Sequence, residues 1–259
     1  HRDLHSFPTR RSSDLPHGNK DNERDEQITS SPCVRPEMFK LLISYAAEHG
    51  YDVGVIDIKT AFLQAPGINR EIYVKPPKEA SAAADLYWKL KKTTYGLVDA
   101  PRNWFQYAQA KLSAYGVKFS SVDPTLGVKY DSQGLVELVI LMQVDDFLYT
   151  GTPIGMKNFE EFVESTFIVG TKKRNKFTFF GVEIIQRPDK GIVLSQEDDL
   201  DNLLPVPLSG GRAKQSREPA TDVEKKGYQS LIGSMLWIGT HTAPFLKYLA
   251  SMLAQKVSD

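Results

Sequence analysis

Residues 135–149 read LVELVILMQVDDFLY, and two apolar runs, VILMQV and FLYT, meet there around a pair of adjacent aspartates, Asp145 and Asp146. Short runs this rich in Val, Ile, Leu and Phe predict strand, turn, strand. Carboxylates buried without a partner are costly in a low-dielectric core. A hairpin turn would expose them, and a cation would stabilise them further. Taken alone, an ordinary Asp-Asp turn accounts for the pair. A second apolar strand, YDVGVIDI (51–58), supplies context through Asp57. Strand alternation puts Asp57 on the face of Val53 and Val55. A plainer reading makes it the cap of the short helix that follows. One carboxylate here and two on a neighbouring hairpin would form an oxygen-rich cluster suited to Mg²⁺. That ion keeps several waters and takes few carboxylates, the rest of its ligands coming from phosphates. Two such ions about 3.5–4 Å apart stabilise the attacking and leaving oxygens of an in-line phosphoryl displacement.

Outward from this hairpin, the chain alternates short strands and amphipathic helices. A helix is predicted over 37–48, where Phe39, Leu42, Ile43, Ala46 and Ala47 recur at helical spacing between Pro36 and Gly50. Strands are predicted over 53–58, 71–74 and 86–90. Pro101 opens a helix over 101–115, with Trp104, Ala108, Leu112 and Tyr115 on one face and Gly116 as its stop. Another helix covers 158–167. Residues 177–186 and 192–195 form a hairpin around RPDKG (187–191). Residues 16–31 read as a polar loop, 205–221 as a linker rich in Pro, Gly and Ser, and 228–255 as largely helical. The expected division is a core over 16–204, the linker over 205–221, and a helical segment over 222–259. The mixture argues for an α+β fold with helices on one face of an antiparallel sheet.

Composition narrows the function classes. The chain has 259 residues, 41% hydrophobic and 25% charged, ordinary for one large globular domain or two small ones. Basic and acidic residues both number 32, so any signal for nucleic acid must be local. Residues 59–118 carry such a signal: ten basic residues against four acidic, a net of +6. They are interleaved with Tyr87, Trp88, Tyr95 and Trp104, which suits phosphate contacts and base or sugar stacking. A solvated basic face over core aromatics is the alternative. Cys33 stands alone, so no internal disulfide forms and a reducing compartment fits. The apolar run 135–142 is interrupted by Glu137 and falls short of the ~20 residues of a membrane span. Residues 1–15, HRDLHSFPTRRSSDL, match codon by codon the in-frame translation of a sequencing-library adapter. They are expected to be absent from the gene and to pack against nothing.

Six segments stand out in order along the chain: DIKTAFLQ (57–64), IYVKPP (72–77), LKKTTYGLVDAPRNW (90–104), VDDFLY (144–149), FGVEI (180–184) and LIGSMLW (231–237). Together, and in this order, they resemble the reverse transcriptase of copia-type retrotransposons. The resemblance covers about residues 28–255. It implies a right-hand polymerase: a palm of antiparallel sheet backed by helices, partial fingers, and a partial thumb or connection. It implies RNA-directed DNA synthesis with two Mg²⁺ ions, or Mn²⁺ in their place, from dNTPs on an RNA or DNA primer-template. Asp57, Asp145 and Asp146 match the catalytic carboxylates, with the Ile58 carbonyl assisting at the metals. Phe62 matches an aromatic that excludes ribonucleotides, in a nucleotide site with Ala61, Tyr95, Gly96 and Leu97. Lys89, Lys91, Lys92, Arg102, Trp104, Gln143, Phe180 and Gly181 match positions that contact nucleic acid. Further implied are integrase and ribonuclease H in the same Pol polyprotein, a cytoplasmic virus-like particle, and no membrane partner.

The chain departs from the family where Gln143 replaces Tyr, Asp99 replaces Gln and Phe180 replaces Leu. The basic fingers segment expected ahead of residues 21–28 is also replaced. A chain short at both ends, poor in catalysis or retaining only nucleic-acid binding, is therefore the second expectation. A different metal-dependent nuclease or phosphotransferase is the third.

Overall fold

The computed structural model describes residues 30–68, 70–76, 86–206, 211–212 and 219–255. Expectations for residues 1–29, and most of those for 205–221, lie outside them. In chain order the elements are α1 (Pro36–His49), β1 (Val53–Ile58), α2 (Ala61–Gln64), β2 (Tyr73–Val74), β3 (Trp88–Lys89), α3 (Ala100–Ala114), β4 (Lys118–Phe119) and β5 (Leu126–Tyr130). Then come β6 (Val136–Gln143), β7 (Asp146–Gly151), α4 (Pro153–Thr166), β8 (Val169–Arg174), β9 (Lys176–Phe179), β10 (Val182–Gln186), β11 (Ile192–Ser195), α5 (Glu197–Asp201), α6 (Asp222–His241) and α7 (Phe245–Ala254).

The main sheet has six strands in the order β4-β5-β6-β7-β1-β8, every neighbour antiparallel. Its central strands are apolar on both sides, because VILM in β6 and VGVI in β1 run without polar interruption. Such strands demand cover on both faces, and here the one-sided expectation is corrected. On one face Ile56, Ile58, Ile140, Met142, Phe147 and Tyr149 pack with Trp104 and Leu112 of α3 and Met156, Phe159 and Val163 of α4. On the other, Val53, Val55, Val139, Leu141 and Leu148 pack with Phe39, Leu42 and Ala46 of α1. Phe177, Phe179, Val182 and Ile184 complete that second core. They come from a three-stranded sheet in the order β11-β10-β9.

The span 177–186 is two strands, not one. Phe180 and Gly181 both have positive φ, 52° and 68°, and form a two-residue hairpin turn of the kind that fits strand twist. The expected helical stretch 228–255 is likewise broken, with Pro244 at the N-cap of α7. A third core joins Ile232, Met235 and Ile238 of α6 to Leu246 and Ala250 of α7. The start of α6 is fixed by a capping box: Thr221 accepts from the Glu224 N–H, and the Glu224 side chain accepts in return from the Thr221 N–H.

Candidate active site

The aspartates meet where β1 and β7 end together. Asp57 and Asp146 are cross-strand partners in the β1–β7 register. The Ile58 N–H donates to the Asp145 carbonyl at 2.7 Å. This makes Asp57–Asp146 a non-hydrogen-bonded pair, the kind with Cα atoms about 4.5 Å apart and side chains closest. Both side chains sit on the face of Val53, Val55 and Leu148, as alternation requires. Capping does not account for Asp57, since the N-cap of α2 is Thr60.

Asp145 stands beside Asp146 in the two-residue turn Val144–Asp145, closed by the pair Gln143↔Asp146. Val144 holds φ at +50°, a left-handed conformation that a β-branched residue adopts only when its surroundings impose it. Three contacts impose it here. The Trp104 indole N–H donates to the Val144 carbonyl at 2.6 Å. The Ile58 N–H holds the Asp145 carbonyl. Beside the turn, the Gln143 side-chain oxygen accepts from the Val34 N–H at 2.8 Å. Trp104 is fully buried, so its ring offers no face to a base. Its expected role in stacking on nucleic acid is corrected to anchoring the turn from below. Nothing in sequence links residues 104 and 144; only the packing of α3 under the hairpin does.

Burial first, then the charges of Asp145 and Asp57, push the Asp146 carboxyl up to about 6 from its ordinary 3.8. Like charges directly opposite on adjacent strands destabilise a sheet. The same donor chemistry, half-buried carboxylate oxygens, suits a hard divalent cation. The carboxylates do not close into a finished cage. Among the described residues, no group of three or more His, Cys, Asp or Glu is disposed to hold a metal ion by itself. An ion of the Mg²⁺ type needs only one or two of these oxygens when phosphates and water supply the others, so the donor set fits it.

The other expected residues divide. Ala61 and Leu97 are fully or nearly buried, and Phe62 is buried with its ring 4.5 Å from that of the half-buried Tyr95. Thr93 ties the next loop to this corner by donating to the Phe62 carbonyl. Gly96 is exposed at φ +92°. Lys91 and Lys92 are exposed. Lys89 is exposed but engaged with Glu71, and Arg102 donates to the Ser30 carbonyl at 3.3 Å. Asp99, the family departure, is buried in an ion pair with Arg70 at 3.2 Å. Lys78, Glu79 and Asp85 of the basic stretch lie outside the described residues. Phe180 is half-buried between Trp237, at 5.4 Å, and His241, at 5.1 Å, and Gly181 is exposed. Among the described residues, no helix is long and apolar enough to cross a membrane.

A family model described as reverse transcriptase (RNA-dependent DNA polymerase) matches residues 18–206, and reverse transcriptases generally depend on divalent metal ions. The chain is 26% identical over 249 residues to the Retrovirus-related Pol polyprotein from transposon TNT 1-94 of Nicotiana tabacum, covering 87% of this chain and 18% of that protein. It is 26% identical over 247 residues to the corresponding polyprotein from transposon RE1 of Arabidopsis thaliana, with coverages of 89% and 16%. It is 24% identical over 245 residues to the Truncated transposon Ty1-A Gag-Pol polyprotein of Saccharomyces cerevisiae, with coverages of 83% and 20%. The chain thus spans about a fifth or less of the length of these relatives. Among solved structures, a foamy viral protease-reverse transcriptase in complex with double-stranded DNA overlays at a TM-score of 0.47 and 14% identity, over 80% of this chain and 31% of that one. With the family match spanning most of the chain and copia-type Pol polyproteins among its relatives, the chain belongs to the reverse transcriptase (RNA-dependent DNA polymerase) family, in its copia-type branch.

Proposed function

We propose that the chain is an RNA-directed DNA polymerase that joins dNTPs to the 3′ end of a primer on an RNA or DNA template. The observation that carries this reading is the Asp57–Asp146 cross-strand pair beside the clamped Val144–Asp145 turn. Asp57 and Asp145, with the Ile58 carbonyl, would hold two Mg²⁺ ions, or Mn²⁺ in their place, and Asp146 would act as a weaker or outer ligand. When bound, such ions lower the barrier by activating the primer hydroxyl and neutralising charge on the triphosphate. The chain's own part is positioning. Trp104, Ile58 and Gln143 fix the turn, so the carboxylates need no rearrangement when substrate arrives. Phe62, Ala61, Tyr95, Gly96 and Leu97 would bound the nucleotide, and Lys91, Lys92 and Arg102 would meet phosphates of the template strand. The Phe180–Gly181 turn and Gln143 would seat the primer end. Integrase and ribonuclease H activities belong to other parts of the polyprotein in this reading.

The test is extension of a primed RNA template by the 259-residue chain with dNTPs and Mg²⁺. Asp145→Asn should lower the rate by about 10²–10³-fold or more. Primer-template affinity should stay within about twofold, because binding rests on basic groups and not on the metals. Equal extension by the variant, or none by the unaltered chain, would overturn the reading.

A further inference from the structure

Gly170 lies in β8, the edge strand beside β1. It is exposed, and its φ is not in the left-handed region, so neither packing nor backbone conformation demands glycine there. Space does. A Cβ at this position would collide with Oδ2 of Asp57, with Asp57 Cγ at 3.1 Å and its carbonyl oxygen at 3.4 Å. No other residue comes among the three nearest contacts. The strand geometry explains the approach. Ile56 pairs with Lys172 and Ile58 with Val169, so Gly170 and Thr171 both lie opposite Asp57 in a bulge. Bulges recur beside active sites because they re-aim side chains.

Other tight glycines in the sheet serve the fold. A Cβ on Gly127 would strike Val117 and Phe119, and one on Gly151 would strike the backbone of Glu137 and Leu138. At Gly170 the obstructed atom is the free end of one carboxylate, which can rotate without disturbing the sheet. It can rotate only off its present position, and β7 with the like-charged Asp146 flanks Asp57 on the other side.

We propose that Gly170 is a positioning residue, whose missing side chain is the space in which the Asp57 carboxylate keeps its working orientation. This rests on the polymerase reading and adds a residue to it that touches no substrate. Displacing a reacting group by about 1 Å can cost on the order of 10²-fold in rate.

The test compares Gly170→Ala with the unaltered chain in two measurements. Three-bond NMR couplings on the ligand-free chain report the χ1 of Asp57, and primer extension across a Mg²⁺ titration reports rate and metal demand. Gly170→Ala should move Asp57 to another rotamer, slow extension about 10–100-fold, and raise the Mg²⁺ concentration for half-maximal rate. Primer-template affinity and melting temperature should not fall. Combined with Asp57→Asn, it should cause no further loss. An unchanged χ1, or a changed χ1 with unchanged rate and Mg²⁺ dependence, overturns the proposal. So does a large fall in melting temperature, which would make the glycine a folding requirement. If the unaltered chain extends no primer, the polymerase reading fails, and the χ1 measurement alone decides the steric claim.

Discussion

Two carboxylates on directly opposed residues repel, and the sheet bears that repulsion at Asp57 and Asp146. Because burial and then the charges of Asp145 and Asp57 raise the Asp146 carboxyl to about 6, the folded chain holds a proton that the unfolded chain releases near 3.8. Between those values the folded state binds more protons, so this group's contribution to stability falls as pH rises through that window and stays low above it. Asp146→Asn should therefore raise stability at pH 7.5 without divalent ions by about 1–3 kcal/mol, and its advantage should vanish near pH 4. Mg²⁺ should raise the melting temperature of the unaltered chain more than that of the variant. A variant that melts lower at pH 7.5 would show that Asp146 is not under like-charge strain. Phe62 poses a separate choice, because its ring is both buried and packed on Tyr95. If it bounds the sugar, Phe62→Ala should increase ribonucleotide incorporation relative to dNTPs. Unchanged discrimination, with stability lower by about 3–5 kcal/mol, would leave it a core residue.

Elements that bury a face were legible, and so, as longer runs, were the exposed β2 and β3, whereas β8, rich in basic residues, was not. β1 falls on its predicted residues, and α1 and α3 fall within one residue of theirs, because Phe39, Leu42, Ala46, Trp104, Ala108 and Leu112 repeat at helical spacing. The aspartate hairpin was legible for the same reason, since its apolar arms leave little choice of turn. β8 was missed because it reads VGTKKR and buries almost nothing. Its partner strand and two acidic residues on α4, Glu160 and Glu164, hold it. Tyr149 of β7 and Arg174 of β8 both pair with Gly54 of β1, one from each side. Both side chains reach Glu160: the Tyr149 hydroxyl donates to it at 2.6 Å and Arg174 Nε at 2.7 Å, and Lys172 adds an ion pair at 3.1 Å. Gly54 makes the crossing possible, since a Cβ there would lie 2.5 Å from the Tyr149 ring. Gly54→Ala should therefore destabilise the sheet by about 1–3 kcal/mol through overpacking, read from urea unfolding. A neutral result would mean that the ring can move aside without cost. The site residues that sequence could not supply, Trp104 as a turn anchor and Val144 as a strained residue, depend on contacts between elements far apart in the chain.

Across the whole molecule, the cores on the two sheet faces are separate from the one between α6 and α7. The helical pair is fastened to the rest by few contacts. Lys40 of α1 donates to the Thr240 carbonyl at 2.7 Å, and Thr242 donates to the buried Gln196 at 2.9 Å. The main joint is aromatic: the Phe180 ring lies 5.4 Å from that of Trp237 and 5.1 Å from that of His241. Trp237 also lies beside the exposed Gly181, where a Cβ would come within 3.1 Å of its Cζ2. Because Gly181 holds φ at +68°, the turn and the indole fit each other only with glycine there. In the polymerase reading this joint connects the turn that seats the primer end to the helices that follow the linker. In that reading its loss should affect retention of the duplex more than chemistry, which would rest on β1, β7 and α3. Trp237→Ala should leave the rate of the first nucleotide addition within about threefold, since small changes remote from the reacting atoms alter binding before chemistry. It should shorten products when a trap prevents rebinding, and speed hydrogen exchange in α6 while the amides of β6 and β7 stay protected. Equal product lengths with faster α6 exchange would show that the joint stabilises the helices without holding the primer. A first addition as slow as that of Asp145→Asn would place Trp237 in the support of the catalytic turn itself.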